Sequence, residues 1–358
     1  MIDLDVAVIG GGQSSLAVGY YLRRAALRYT LIDDQPTPGG AWQQTWPSLR
    51  LFSPAQWSSL PGWLMPRDQS VTSDDYASRD RAIAYLSEYE ARYALPTLRP
   101  LHVSGVHRDG DRFRVETNTE TIAARAIVSA TGTWANPNIP SLPGQSSFAG
   151  TLIHSAQYRG PAEFVGRRVI VVGGGNSGAQ IVAELSSNAH VTWATLTPPT
   201  FLPDDIDGRF LFEQATARYR AVQEGRTPDP PRSLGDIVAV PAIREARDRG
   251  ALEAVPLFER FTRGGVVWAD GHEEHVDVVI FATGFRPALA HLAPLGVVDA
   301  KGRVAIVKGG SRARSVVEPN LWLVGYGEWT GFASATLIGV GRSARAAVDE
   351  IVTVLGRS

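Results

Sequence analysis

Short β-branched runs that end abruptly in glycine set the rhythm of this chain. Residues 5–9 (DVAVI) form such a run and meet Gly10-Gly11-Gly12 at once. A helical-looking stretch follows over 14–24, with apolar residues at Leu16, Val18 and Leu22, and a second run over 29–32 stops at Asp33-Asp34. Strand, glycine turn, helix, strand is the opening βαβ unit of a doubly wound α/β sheet. The same order returns at Arg168: RVIVV leads into Gly173-Gly174-Gly175, then a helix through Ala179 to Leu185, then a strand over 190–194. Counted from Gly10 to Gly173, the copies are offset by 163 residues, which repeats an entire nucleotide-binding unit rather than a solenoid turn. A further echo pairs 126–132 (AIVSATG) with 278–284 (VVIFATG), each a buried-type strand ending in Ala-Thr-Gly downstream of one glycine turn. Pro137, Pro140 and Pro143 punctuate a linker, 198–256 reads as a proline-broken and partly helical insertion, and a strand over 321–324 precedes a long helix from about 334 to 355.

Composition narrows what such a chain can be. At 358 residues, 44% hydrophobic and 20% charged, it has the make-up of a globular protein of about two domains. A net charge of −1 offers no one-signed field to phosphate backbones or anionic lipid, which excludes a general nucleic-acid binder. The absence of cysteine removes disulfide frameworks, Cys-ligated zinc, iron–sulfur clusters and disulfide-reductase chemistry together. No stretch approaches the ~18 uninterrupted apolar residues of a membrane span. Asp3 and Asp5 stand where a secretion signal is basic, so a cytoplasmic protein without membrane contact is expected. Asp204, Asp205 and Asp207 lack the Gly and Glu spacing of a calcium loop, so no metal is assigned, and Arg209, Arg218 and Arg220 read as a solvated face.

The glycine turns carry the chemistry. In Gly10-Gly11-Gly12-Gln13-Ser14-Ser15 the first glycine permits the tight turn, the second lets backbone approach a pyrophosphate, and Ser15 takes the third, small-residue position. The phosphates then lie against free N–H groups at the helix start. Asp33, 18 residues past Ser15, stands where a carboxylate accepts from ribose hydroxyls. The second turn, Gly173-x-Gly175-Asn176-Ser177-Gly178, is complete, but the same count lands on Leu196 within Thr195-Leu196-Thr197. Neither an acid for the 2′-hydroxyl of NAD nor an arginine for the 2′-phosphate of NADP is present, so either NADH or NADPH is expected to serve. Two dinucleotide sites on one chain point to electron transfer from a diffusible nicotinamide to a retained flavin.

With these units on the page, the sequence resembles the flavin-containing monooxygenases, the FAD- and NAD(P)H-dependent class B flavoprotein monooxygenases, and most of all their small bacterial members. The likeness spans nearly the whole chain. Its most specific piece is Phe148-x-Gly150-x-x-x-His154-x-x-x-Tyr158, which matches the FxGxxxHxxx(Y/F) signature. The related Baeyer–Villiger enzymes carry tryptophan at the last position. The family's ATG motifs match Ala130-Thr131-Gly132 and Ala282-Thr283-Gly284-Phe285, and Pro38-Gly39-Gly40-Ala41-Trp42 is similar to its loop over the flavin ribityl chain. By the same resemblance Leu51 lies in the segment after that loop, Val103 contacts adenine, and the 325–329 turn with Glu328 and Trp329 lies near the flavin ring. One departure stands out: the family's L-x-x-N-S-P reads Leu49-Arg50-Leu51-Phe52-Ser53-Pro54 here, with Phe52 in place of an asparagine associated with hydrogen bonding near the oxygenated flavin.

The resemblance implies two Rossmann-like domains, a discontinuous FAD domain (1–155 and 280–358) and an inserted NAD(P) domain (156–279) with a helical insertion around 204–256. It implies a monooxygenase that uses NADH or NADPH and O2 to oxygenate a small soft nucleophile, by sulfoxidation, amine oxidation or Baeyer–Villiger oxidation through a flavin C4a-hydroperoxide. A homodimer is compatible with the group. Phenylalanine cannot supply the asparagine's hydrogen bond, which keeps open an NAD(P)H oxidase or flavin reductase that releases hydrogen peroxide; a nucleotide-sensing redox regulator is the rival from outside catalysis. His154 reads as a linker-orienting residue rather than a base. Trp57 and Trp63 read as packing, and Trp42 and Trp46 as lining the cofactor.

Overall fold

The computed structural model describes residues 2–356 apart from 71–74, 308–312, 332 and, within 205–235, positions 205, 207–209, 211–212, 215, 218–220, 222–223 and 228–235. Arg209, Arg218, Arg220, Asp205 and Asp207 therefore lie outside the described residues. Two twisted sheets carry the two repeats. In the first, β5 (Thr97–Leu98), β2 (Tyr29–Ile32), β1 (Ile2–Ile9) and β8 (Thr121–Ser129) run parallel in that order. β17 (Leu321–Leu323) lies parallel beside the end of β8, while β7 (Arg112–Thr117) and β6 (Val103–Asp109) add an antiparallel hairpin beside its start. In the second, β12 (Ala254–Pro256), β11 (His190–Thr195), β10 (Arg168–Val172), β16 (Val278–Phe281) and β9 (Thr151–His154) are all parallel. Third strand, second, first, then the Ala-Thr-Gly strand is the inner order of both. A pair, β3 (Arg50–Pro54) with β4 (Tyr76–Ser78), and a small antiparallel sheet, β13 (Arg260–Phe261), β14 (Gly265–Val267) and β15 (Glu273–His275), complete the strands.

Residues 6–9 of β1 and 169–172 of β10 read as unbroken apolar runs because both faces of each are covered there. Val6 and Val8 enter the core shared with α1 (Gln13–Leu22), α2 (Arg79–Arg92) and α5 (Val340–Leu355), while Ala7 and Ile9 enter the core on the opposite face. In the second sheet Val169 and Val171 face α3 (Asn176–Leu185) and α4 (Pro241–Asp248), and Ile170 and Val172 face the other side. α5 presents a stripe at Val340, Ala344, Ala347, Val348, Ile351 and Leu355, the spacing of one helical face. Each large side chain so buried contributes about 1.5–3 kcal/mol. Among the described residues no helix is long and apolar enough to cross a membrane.

Three boundaries differ from the sequence reading. The cut at 155/156 separates β9 from its partner β16, and the cut at 279/280 falls inside β16; the sheets place the division instead in the linkers on either side of these strands. The last helix begins at Val340, not near 334. The chain before it is coiled by side-chain bonds, Thr330 and Ser334 to the Gly327 carbonyl, and by positive φ at Gly331 and Ala333.

A buried polar chain ties the first sheet to the segments after it. His291 Nε2 lies 3.0 Å from Ser129 Oγ, which lies 2.6 Å from the Tyr326 hydroxyl, which in turn meets Thr131 Oγ1 at 2.8 Å. Burial pushes His291 down from an ordinary 6.5 to about 4, so the folded protein holds it neutral where the unfolded chain takes a proton. Its contribution is fully present above pH 6.5 and is lost as pH falls towards 4. By linkage that loss is worth roughly 3 kcal/mol. His291→Gln keeps a donor for Ser129 but cannot titrate. Its denaturant-measured stability is expected to fall less than that of the unmodified protein between pH 6.5 and 4, and parallel curves over that range would contradict the assignment.

Candidate active site

Both glycine turns sit at the carboxyl edge of a sheet, and each is built the same way. Gly10 (φ +121°) passes so close under Ala130 that a Cβ would stand 2.5 Å from the Ala130 carbonyl oxygen. Gly173 (φ +131°) repeats this against Ala282, at 2.3 Å. The Ala-Thr-Gly echo therefore has a steric reason: its alanine carbonyl closes over the first glycine of its own turn. After each turn a helix starts without a side-chain cap, at Gly12 for α1 and Gly175 for α3. The first backbone bonds back to these caps come from Leu16 and Ala179. The N–H groups of Gln13, Ser14 and Ser15, and of Asn176, Ser177 and Gly178, precede those bonds at the helix starts and point outward for an anion.

Three further segments converge on the start of α1. The Gly40–Gln44 turn lies against it, with Gly12 Cα only 2.6 Å from where a Gly40 Cβ would stand, and Ala41 is exposed on the same turn. Trp42 Nε1 donates to Gln13 Oε1 (3.2 Å), and Gln13 Nε2 donates to the Ala335 carbonyl (2.8 Å). Gly325 packs on Ser14, and the Ser15 hydroxyl is buried with no hydrogen-bond partner. Asp33 is held from behind by Arg99, whose Nε lies 3.1 Å from Oδ2, and Arg99 forks onto Glu90 at 2.6 and 2.7 Å. Burial raises the Asp33 pKa and outweighs the lowering by the Gln35 N–H and by Arg99. Two lone-pair positions of the carboxylate remain for further donors.

The second site is lighter. β10 and β11 pair Val172 with Ala194, so the residue across from Gly173, in the place of Asp33, is Thr195. The count from the first unit gave Leu196; the connection is one residue shorter here, and that slip turns the side chain to the other face. Leu196 is 87% exposed and Thr195 is buried, with Thr197 exposed beyond it. Asn176 is engaged structurally: its amide donates to the Asp236 carbonyl and accepts from Val238 N, both at 3.0 Å. Ser177 is exposed, and a Cβ at Gly178 would strike the Gly173 carbonyl at 2.2 Å.

The segments after the two Ala-Thr-Gly strands strap the units together. Asn138 N donates to Gly284 O, Arg286 N to Asn136 O and Ala288 N to Gly132 O, all at 2.9 Å, and Thr283 exchanges bonds with Asn138. Space lies open above Gly132 and Gly284. His154 locks this crossing: Nε2–H reaches the Gly284 carbonyl at 3.0 Å, Nδ1 accepts from Ala156 N at 3.1 Å, and Phe285 packs edge-on to the ring. Both ring nitrogens are committed and burial lowers the pKa, so the histidine is a neutral spacer.

Several expected cofactor contacts lie elsewhere. Trp46 is 2% exposed in the core of the second unit with Nε1 on Glu184, so its ring lines no open cleft. Leu51 and Val103 point into the first unit's cores, which leaves only their backbones for a ligand. Phe52, the next residue of β3, faces the opposite way and packs against the second unit's core. Trp329 leans on Tyr326, 5.7 Å away, and the Glu328 side chain lies outside the described residues. Asp204 forms a two-point ion pair with Arg247. Arg99, Glu90, Tyr326 and Glu184 escaped sequence reasoning. Only Glu184 carried a signal, as the one charged residue in α3.

Arg99→Met leaves the buried Asp33 and the half-buried Glu90 carboxylates without their shared cation and is expected to cost about 3 kcal/mol by urea titration at pH 7. Arg99 is among the groups that hold the Asp33 pKa down, so its loss lets burial raise that pKa further; a raised carboxyl pKa costs the folded state stability as pH climbs above 3.8, so the deficit should be smaller near pH 4 than at pH 7. An equal deficit at both values would assign the cost to lost packing.

Comparison with known proteins agrees with this geometry. Residues 7–204 match the family described as pyridine nucleotide-disulphide oxidoreductase, although a chain without cysteine cannot itself carry that chemistry on a thiol pair. A flavin-containing monooxygenase from Stenotrophomonas maltophilia is 49% identical and superposes with a TM-score of 0.90 over 99% of this chain and 100% of that one. CzcO of Bacillus subtilis (strain 168), an uncharacterized oxidoreductase, is 28% identical over 97% of this chain and 99% of its own. The indole-3-pyruvate monooxygenase YUCCA1 of Oryza sativa subsp. japonica is 27% identical over 94% and 88%. The chain belongs to the pyridine nucleotide-disulphide oxidoreductase family and, within it, to the flavin-dependent monooxygenases, oxidoreductases that use a flavin, a pyridine nucleotide and O2 on a small molecule.

Proposed function

We propose that the retained flavin is FAD, that NADH and NADPH both reduce it, and that the oxygen acceptor is a soft nucleophile such as a thioether or amine. The observation that carries this is the pair of glycine turns, each closed under an Ala-Thr-Gly carbonyl and strapped to the other directly beyond those motifs. The residues fit a dinucleotide in the first unit: an uncapped helix start, the orphaned Ser15 hydroxyl, the Gly12–Gly40 approach that only bare backbone allows, and Asp33 fixed by Arg99. When bound, the flavin would take hydride from the nicotinamide and activate O2 for transfer of one oxygen atom to the nucleophile.

The protein's own part is placement. The N–H groups at Gln13–Ser15 receive one pyrophosphate and those at 176–178 the other. Asp33 accepts from the ribose of the first ligand. Thr195 stands in the equivalent place for the second, where it neither attracts a free 2′-hydroxyl strongly nor repels a 2′-phosphate. Phe52 favours a second outcome at the same site, release of hydrogen peroxide, since an apolar ring packed on the second unit's core supplies no hydrogen bond to an oxygenated flavin. A cytoplasmic homodimer is compatible with all of this.

Anaerobic reduction by NADH and by NADPH, followed by O2 and a simple thioether with sulfoxide and peroxide quantified together, tests the reading. Sulfoxide in step with nicotinamide consumed supports it; peroxide alone moves the protein to the oxidase reading. The KM values for the two nicotinamides are expected within roughly a hundredfold of each other, and Thr195→Asp is expected to raise that for NADPH about tenfold or more while sparing NADH. A thousandfold preference in the unmodified protein would contradict the role given to Thr195.

A further inference from the structure

Beyond the nucleotide sites, one carboxylate gathers bonds from three places. Glu184, in the last turn of α3, accepts from Trp46 Nε1 (3.1 Å) and Ser48 Oγ (2.7 Å) on one oxygen and from the Tyr158 hydroxyl (3.0 Å) on the other. Trp46 and Tyr158 are almost wholly buried and meet edge-to-face at 5.7 Å. Ser48 and Trp46 follow the Gly40–Gln44 turn, whose Trp42 grips Gln13 at the start of α1. Glu184 itself lies about 12 Å along the helix from Asn176, where α3 starts. A continuous path thus runs from one anion-binding helix start to the other: Gln13, Trp42, the 42–48 segment, Glu184, α3.

Besides the packing of Leu49, Phe52 and Tyr76 on the second unit's core and the Arg342–Thr216 bond, two connections between the units differ in kind. The straps at 131–138 and 283–288 are backbone-bonded and chain-continuous, as a hinge must be. The Glu184 contact is made of side chains on a single carboxylate. Beside it a cleft of about 600 Å³ opens between the units, lined by Ser48, Arg50, Gln180, Glu184 and Glu245 among others, so the carboxylate stands at the edge of an unfilled part of the seam. We propose that Glu184 is a positioning residue: it clasps the second nucleotide unit to the flavin-side loop and fixes the register in which hydride passes between the two sites. This rests on the reading that nicotinamide reduces a flavin in this chain. The register itself can be measured without turnover.

Because the chain has no cysteine, Thr119→Cys and Ala269→Cys place one spin label on an exposed turn of each unit without further changes. Pulsed dipolar distances in the purified flavoprotein are expected to be narrow with Glu184, to broaden in Glu184→Ala, and to narrow again in Glu184→Gln, whose amide keeps an acceptor for Trp46 and Ser48 and offers Tyr158 a donor. In stopped-flow reduction at saturating NADH the limiting rate is expected to fall about tenfold or more in Glu184→Ala, as misplaced reactants require. It should recover in Glu184→Gln, with reduction by dithionite unchanged throughout. Unaltered distances in Glu184→Ala overturn the clasp, and an unaltered limiting rate overturns its role in hydride transfer. If Glu184→Ala does not fold, Ser48→Ala removes one of the two donors that reach Glu184 from the flavin-side loop: a partial fall in the limiting rate supports the proposal and an unaltered rate overturns it. Broadened distances in a protein that neither nicotinamide reduces would support the clasp and count against the electron-transfer reading.

Discussion

The constraint on which this structure depends is the passage of a glycine beneath a carbonyl. At Gly10 under Ala130, and again at Gly173 under Ala282, the chain leaves the first strand of a unit through a gap too narrow for any Cβ. That approach lets the following helix begin at the carboxyl edge of the sheet with its N–H groups facing outward. It also fixes the Ala-Thr-Gly strand beside the turn, so the residues after it, Gly132 and Gly284, emerge at the same edge. The straps between the units follow from where those two strands end. A larger residue at either first glycine would part the strand from the turn and move the helix start, the strap and the partner unit together.

The repeat was legible because this constraint writes itself locally: an apolar run, three glycines and a small residue at fixed spacing need no tertiary information. The Ala-Thr-Gly echo was visible for the same reason, though its cause, a carbonyl over a glycine more than a hundred residues away, was not. What sequence could not supply was register and reach. Thr195 rather than Leu196 takes the acid's place because the second unit's connection is one residue shorter, and a count cannot detect that. Arg99 and Asp33 are 66 positions apart and meet only because β5 pairs with β2. The neighbours of Trp46 in sequence suggest a cofactor residue, but the tight turn at Gly40–Gln44 directs Trp42 to the first unit, while Trp46 beyond it and Phe52 on β3 meet the second. The early start expected for the last helix failed because Thr330 and Ser334 bond the preceding backbone in a coil that helical periodicity does not register.

His154 shows how a motif can be informative without being catalytic. Its place in the signature invites a role as a base, yet one nitrogen donates to a strap carbonyl and the other accepts from the next turn's backbone. With Phe285 against its edge, the ring is a spacer between β9 and the crossing. Neutrality serves that role: a charged imidazolium could not accept from Ala156, so the buried position that lowers its pKa also preserves its function.

The two nucleotide units share a frame and differ in how firmly they can hold what they bind. The first adds to its glycine turn an acid locked by a half-buried arginine, a second loop pressed on the helix start, and a third segment bridged through Gln13. The second offers its helix start, a threonine in place of the acid and, just beyond, an exposed leucine. A retained cofactor needs many converging contacts and slow release, whereas a reductant consumed in every turnover must leave again, so the lighter site suits the diffusible partner. That the described residues around the two glycine turns present no acid–base dyad belongs to the same division of labour. When the redox chemistry resides in a bound ring, selection acts on backbone approach and domain register, and the side chains that matter most are those, like Arg99 and Glu184, that hold other groups in place.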